Sequence, residues 1–246
     1  MANYNFQGKI ILKGKIRAIT GIHIGGNKTS LDIGGIDNSF IRTRKGRLYI
    51  PGSSLRGKIR SLLEKYYNYF SENGEPSSEE NDVTKIFGIH KSKDTNNVFP
   101  TTLLVRDAYL SDEQDISSVL EIKTENVINR ISGKAEHPRE IERVSGGSTF
   151  DFEIVFNLHY DKDENKKLFE VFLRGMKLLE DDYLGGSGSR GYGKIKFENI
   201  ELIKRDKSFY EIKRDESFYE GNMVQKEFSY GDLQDIKKND LEEIFS

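Results

Sequence analysis

Cysteine is absent from the 246-residue chain, which removes disulfides, thiol nucleophiles and the zinc sites built on thiolates. Long apolar runs are absent too: charges interrupt the hydrophobic stretches every few residues, and nothing approaches the roughly 18 consecutive apolar residues of a bilayer-spanning helix. The opening residues, Met1-Ala2-Asn3-Tyr4-Asn5, lack the basic-then-apolar order of a secretory signal. A soluble, cytoplasmic protein with no membrane partner is expected. Histidine is scarce, and its four positions, 23, 90, 137 and 159, are too scattered to suggest a metal cluster. A chain of this length can bury a substantial core, and one domain carrying insertions is the expected organisation.

Net charge is close to zero, with 38 basic and 40 acidic residues giving −2, so bulk charge argues neither for nor against a polyanionic partner. Its distribution is more informative. Residues 38–63 hold seven cations (Arg42, Arg44, Lys45, Arg47, Arg56, Lys58, Arg60) and no acid, whereas residues 206–246 hold eleven acids and six bases. A basic stripe on an acidic body is the electrostatic footprint of a polyanion site, although the same stripe also serves as a solvated face.

Hydrophobic spacing sets the expected elements. Residues 9–24 read as one long strand with a wet face, ending at Gly25-Gly26. A Gly-, Ser- and Asp-rich loop follows over 27–38, then a basic hairpin or strand over 40–50. After Pro51-Gly52, Ser53 or Ser54 is positioned to cap a helix whose buried face is Leu55, Ile59, Leu62, Leu63, Tyr66, Tyr67 and Phe70. Arg56 and Lys58 then lie in its first turn, where cations oppose the helix dipole, so an anion bound at that end would account for them. A polar loop over 71–82, a short helix over 83–89 and a strand over 101–110 follow; 119–131 is ambiguous and 132–139 reads as a polar loop. Residues 141–144 and 149–158 flank Gly146-Gly147 and predict a β-hairpin. A second amphipathic helix covers 164–183, and a strand covers 192–203. The octets KRDKSFYE (204–211) and KRDESFYE (213–220) suggest a local duplication, and 232–245 an acidic amphipathic helix offering a docking surface. Strand, helix, strands, helix, strand is the order of a ferredoxin-like α+β sheet, the plan also used by RNA-recognition domains.

Two segments carry chemistry. Residues 185–197 read GGSGSRGYGKIKF, a ribbon able to wrap phosphates with backbone amides. It lacks the Gly-Lys-Ser/Thr ending of a nucleoside-triphosphate loop, which disfavours a nucleotide-binding enzyme, and from Arg190 onward it comes near the RNA-recognition signature. A tight helix-to-strand connection has the same composition. The other segment is Gly34-Gly35-Ile36-Asp37-Asn38, with Asp32 upstream. A carboxylate on a Gly loop can hold a divalent cation or orient an RNA 2′-hydroxyl, or simply make a turn. His23, at the end of the first strand, can stack on a base or touch a phosphate, or be structural. Arg130, Arg139 and Arg143 make a third basic group, with Glu140 and Glu142 as alternative partners.

Taken in order, Thr20-Gly21-Ile22-His23-Ile24-Gly25-Gly26, Ile36-Asp37, Pro51-Gly52-Ser53-Ser54-Leu55-Arg56-Gly57-Lys58, Glu125-Asn126 through Asn129-Arg130, Pro138-Arg139-Glu140-Ile141-Glu142-Arg143 and Asp182-Tyr183-Leu184-Gly185-Gly186 through Arg190-Gly191 resemble the RAMP superfamily. The likeness is closest to the repeated backbone subunit of the type III-A (Csm) CRISPR effector complex, and it spans residues 9–197. It implies a modified RNA-recognition fold: a palm over about 8–70 and 140–203, helical-lid and thumb-hairpin insertions over about 71–139, and an extension over 204–246, all within one domain. It further implies a crRNA guide and a complementary target RNA as partners, copies of the chain in a filament, and other Csm-complex subunits. By the same resemblance Asp37 is the target-cutting carboxylate and metal ligand, with a divalent ion, magnesium being the expected one. Ser53, Ser54, Arg56 and Lys58 contact the guide backbone, His23, Gly186 and Arg190 lie nearby, and Arg130 and Arg139 lie at the thumb. The alternatives are a non-catalytic structural RAMP subunit and the equivalent backbone subunit of a type III-B (Cmr) complex.

Overall fold

Alternation decides where the central strand sits. In β1 (Gly8–Ala18), Ile10, Leu12, Ile16 and Ala18 are buried on one face, while Lys9, Lys13, Lys15 and Arg17 project from the other. The computed structural model describes residues 5–26, 38–71, 73–89, 101–210 and 225–246; the expected loop with Asp32 and Asp37, and the second octet, lie outside the described residues. β1 pairs antiparallel with β7 (Thr149–Leu158) on one side and with β8 (Ile195–Asp206) on the other. Beyond β7 lie β3 (Leu103–Val105) and β4 (Ala108–Leu110), two pieces of one path that both pair with β7, and then β2 (Tyr49–Ile50). Beyond β8 lies β9 (Gln225–Asp232). With α1 (Gly52–Tyr67) after β1 and α4 (Lys162–Asp181) after β7, the inner order β8-β1-β7-β3/β4 is ferredoxin-like, and β2 and β9 extend its two edges.

The core lies between this sheet and its helices. Leu55, Ile59 and Leu63 of α1 and Leu168, Phe169, Phe172, Met176 and Leu179 of α4 are buried, and Phe169 meets Phe156 of β7 edge-on at 5.2 Å. Each such side chain stabilises the fold by about 1.5–3 kcal/mol relative to remaining exposed. The α4 helix starts on Asp161, whose carboxylate accepts from the Glu164 amide. A short α2 (Asp82–Phe87) carries a capping box between Asn81 and Thr84.

Several sequence expectations need correction. The strand expected over 9–24 leaves the sheet at Ala18, whose amide donates to the Ser148 carbonyl; only isolated bridges at Ile22 and Gly25 continue it. The strand expected over 101–110 is broken at Arg106-Asp107. The hairpin expected about Gly146-Gly147 does not form. Instead β6 (Ala135–Val144) pairs with β5 (Leu120–Ile128) in a separate two-stranded sheet, and the Gly147 amide donates to Ala18, so this turn passes the chain from one sheet to the other. Residues 119–131 and 132–139, ambiguous or loop-like in sequence, therefore hold most of a hairpin, entered through a single-turn α3 (Ile116–Val119).

The acidic C-terminal segment also differs from expectation. It splits into the end of β9, a 3-10 turn at Leu233–Asp235 and a short α5 (Lys238–Ile244). Its apolar residues Leu233, Leu241, Ile244 and Phe245 are buried, with Phe245 5.8 Å from Phe169, so they complete the chain's own core and do not form a docking face. Among the described residues no helix is long and apolar enough to cross a membrane.

Candidate nucleic-acid interface

Helix α1 begins one residue earlier than the serines, with Pro51 in the capping position and no side-chain cap. Ser53 and Ser54 fall in its first turn and cap nothing, because Asp107, 55 residues downstream, accepts from the Gly52 amide at 2.8 Å. The break between β3 and β4 brings Asp107 there. A side chain at position 52 would collide with the Val105 carbonyl, so only glycine permits the approach. The helix end thus already faces one carboxylate, while the Ser53 side of the first turn is exposed.

The cations of this region have partners from distant sequence. Arg56 donates to the Phe87 carbonyl and lies 5.5 Å from the Phe87 ring; burial, then Arg60, lowers its pKa from the ordinary value. Lys58 reaches the C-terminal end of α4, with Nζ 3.2 Å from Asp182 Oδ2 and 3.7 Å from the centroid of Tyr183. Arg42 pairs with Glu142, Arg47 with Asp112 at 2.6 Å, and Arg60 with Glu64 at 2.8 Å. The excess of positive charge in residues 38–63 is therefore largely offset in the fold, and Arg44 and Lys45 sit on its exposed turn.

The glycine ribbon packs against His23. Gly185 has φ +87° and lies so close to the His23 carbonyl that any side chain would strike it; the Gly186 amide donates to that same carbonyl at 2.8 Å. The His23 ring is fixed as well, its Nδ1–H donating to the Glu142 carbonyl at 2.7 Å and leaving Nε2 as the second ring nitrogen. Glu142 is a junction: its amide donates to the Asn38 carbonyl at 3.0 Å, and its carboxylate accepts from the Phe40 amide at 2.7 Å and from Arg42. Arg190 follows in a 3-10 turn and pairs with Glu125 at 2.7 Å. The expected likeness to the RNA-recognition signature fails here, since Tyr192 and Phe197 are fully buried and offer no face to a base.

His23, Gly186, Lys58 and Arg190 are thus brought together: the start of α1 and the ribbon meet through Lys58, Asp182 and Tyr183, with His23 beneath the ribbon. Arg56 belongs instead to the contact with α2. Arg130 and Arg139 lie apart on the exposed β5–β6 hairpin, whose tip carries the almost wholly exposed Ile131 (99%). Asp37 is outside the described residues; its neighbour Asn38 bridges to Ile141 of β6. Among the described residues no group of three His, Asp or Glu side chains could hold a metal ion. Sequence reasoning missed Asp107, Glu125, Tyr192 and Glu142 as organising residues, since each acts over a long chain separation.

Comparison with known proteins sets this arrangement in a family. The RAMP superfamily model matches residues 15–196. The "CRISPR system Cms endoribonuclease Csm3" of Methanocaldococcus jannaschii is 50% identical over 220 residues, covering 86% of this chain and 87% of the relative. That of Streptococcus thermophilus is 43% identical over 202 residues, covering 78% and 89%. A crystal structure of a Csm3-Csm4 subcomplex in the type III-A CRISPR-Cas interference complex superposes with a TM-score of 0.64 at 37% identity, covering 97% of each chain. The chain belongs to the RAMP superfamily and, within it, to the family of these Csm3 relatives.

Proposed function

We propose that this chain is a repeated crRNA-binding subunit of a type III-A CRISPR interference complex that cuts complementary target RNA. The observation that carries the reading is the single surface made by the first turn of α1, His23, Tyr183 and the ribbon from Gly185 to Arg190, beside the root of the β5–β6 hairpin. Backbone amides, serine hydroxyls and cations in that arrangement suit a phosphate chain of any sequence, leaving base pairing to select the target. Other Csm subunits are the expected neighbours, and copies of the chain repeat along the guide.

The β5–β6 hairpin acts as the thumb. Its exposed apolar residues Ile122, Val127, Ile128 and Ile131, flanked by Arg130 and Arg139, suit a wedge entering a nucleic-acid duplex. Cutting uses the target's own 2′-hydroxyl, with Asp37 fixing the phosphate geometry, and leaves a cyclic phosphate and a 5′-hydroxyl. When bound, a divalent ion, expected to be magnesium and held by Asp37, supplies Lewis-acid stabilisation of phosphate charge. DNA lacks the nucleophile and resists.

The test is to incubate the guide-loaded complex with complementary RNA or DNA, in magnesium or chelator, and to map product ends. Asp37→Ala is expected to abolish target cutting while guide binding survives. Retained cutting by that variant, or efficient cutting of DNA, would overturn the reading.

A further inference from the structure

The root of the β5–β6 hairpin is fastened to the palm by a cluster that the proposed function leaves unused. Glu125 lies on β5 with its side chain only 11% exposed, and its carboxylate takes the Arg190 guanidinium at 2.7 Å. Lys123, on the same strand, lies 3.8 Å from Glu125 and 4.4 Å from the centre of the Tyr192 ring. Arg143 of β6 stacks on that ring from 4.8 Å and pairs with Glu121 of β5 at 2.6 Å. Tyr192, itself fully buried, belongs to the palm, so ion pairs and cation–π contacts join hairpin to ribbon here. Desolvation at the root pushes the Glu125 carboxyl up, but the Tyr192 hydroxyl, Arg190 and Lys123 outweigh it and hold the group below the usual carboxylate range, so it is ionised at neutral pH.

Arg190 is the ribbon's own cation and stays more than half exposed while paired. A carboxylate presents two oxygens to a guanidinium much as a phosphate does. We propose that Glu125 is an internal stand-in for RNA phosphate: without RNA it occupies Arg190 and is one of the ties between the hairpin root and the ribbon, and a bound strand displaces it and removes that tie. The contact is autoinhibitory, since RNA must compete with a tethered anion for Arg190. This inference rests on the reading of Arg190 as a phosphate contact.

The test measures binding of a fluorescent single-stranded RNA to the full-length chain at low salt, for wild type, Glu125→Gln, Arg190→Ala and the double variant. Glu140→Gln, which removes an exposed acid elsewhere on the hairpin, controls for net charge. Glu125→Gln is expected to tighten binding by about two- to fivefold, the range of an ion pair whose guanidinium stays in solvent, and the gain should vanish in the Arg190→Ala background. Glu125→Asp, which withdraws the charge by one methylene, should shift binding in the same direction and covers the case in which the amide variant fails to fold. If both Glu125 variants bind no tighter while Arg190→Ala weakens binding, the stand-in is refuted and the phosphate contact stands. An equal gain in the Arg190→Ala background, or from Glu140→Gln, makes the effect one of net charge and refutes it too. No loss from Arg190→Ala removes the phosphate contact, and the stand-in with it.

Discussion

Strands β1 and β6 are of nearly equal length, eleven and ten residues, and both lie in antiparallel ladders, yet different forces hold them. β1 is flanked on both sides and buries one whole face under α1 and α4. β6 pairs along its length with β5 alone, and only isolated bridges from Ile22 and Asn38 reach its root. Residues 135–140 are exposed on both faces, and Ile141, Glu142, Arg143 and Val144 reach the palm. The sheet is therefore stabilised by apolar burial, which salt hardly touches, and the hairpin by polar contacts concentrated at its root, which salt and competing anions weaken. A two-stranded ribbon with no core of its own is marginal in water, so it is the part of the fold best able to change position.

This contrast can be broken experimentally. The largest expected effect is in the palm: Phe169→Ala, which hollows the packing against Phe156, Phe172 and Phe245, should cost about 3–5 kcal/mol in urea unfolding. A cost near that of a surface change would mean the core is not where the contrast requires it. An intermediate effect is expected at the border. Glu142→Ala strands the buried Phe40 amide and Arg42, for a loss of about 1–3 kcal/mol by the same measurement. An unchanged midpoint there would show that the palm holds residues 38–42 without help from β6. The smallest is at the hairpin tip, where Ile131→Ser should leave unfolding within about 0.5 kcal/mol while lowering target cutting by the assembled complex. A large stability loss would give the tip a packing role.

The same contrast explains what could be read from sequence. β1, β7, β8, α1 and α4 were legible because each buries one face, so the spacing of Ile10, Leu12 and Ile16 or of Leu55, Ile59 and Leu63 records their surroundings. The β5–β6 hairpin was misread because strands exposed on both faces leave no alternation, and Gly146-Gly147 looked like the turn of a pairing that β1 takes instead. At the candidate site, the ribbon, His23 and Lys58 were found as residue types in suggestive settings. Their partners were not, since Asp182 for Lys58, Glu125 for Arg190 and Asp107 for the helix start are chosen by the tertiary fold. The basic stripe is partly neutralised for the same reason, as acids such as Glu142 and Asp112 arrive from far along the chain.

The bond from Gly52 to Asp107 fixes the start of α1 to the broken edge strand directly, bypassing everything threaded between them. Closing a longer excursion between two points already clamped adds little, since the entropy grows only with the logarithm of its length. Insertions in the polar stretch between α1 and α2 should therefore be absorbed without tilting the helix or disturbing its first turn.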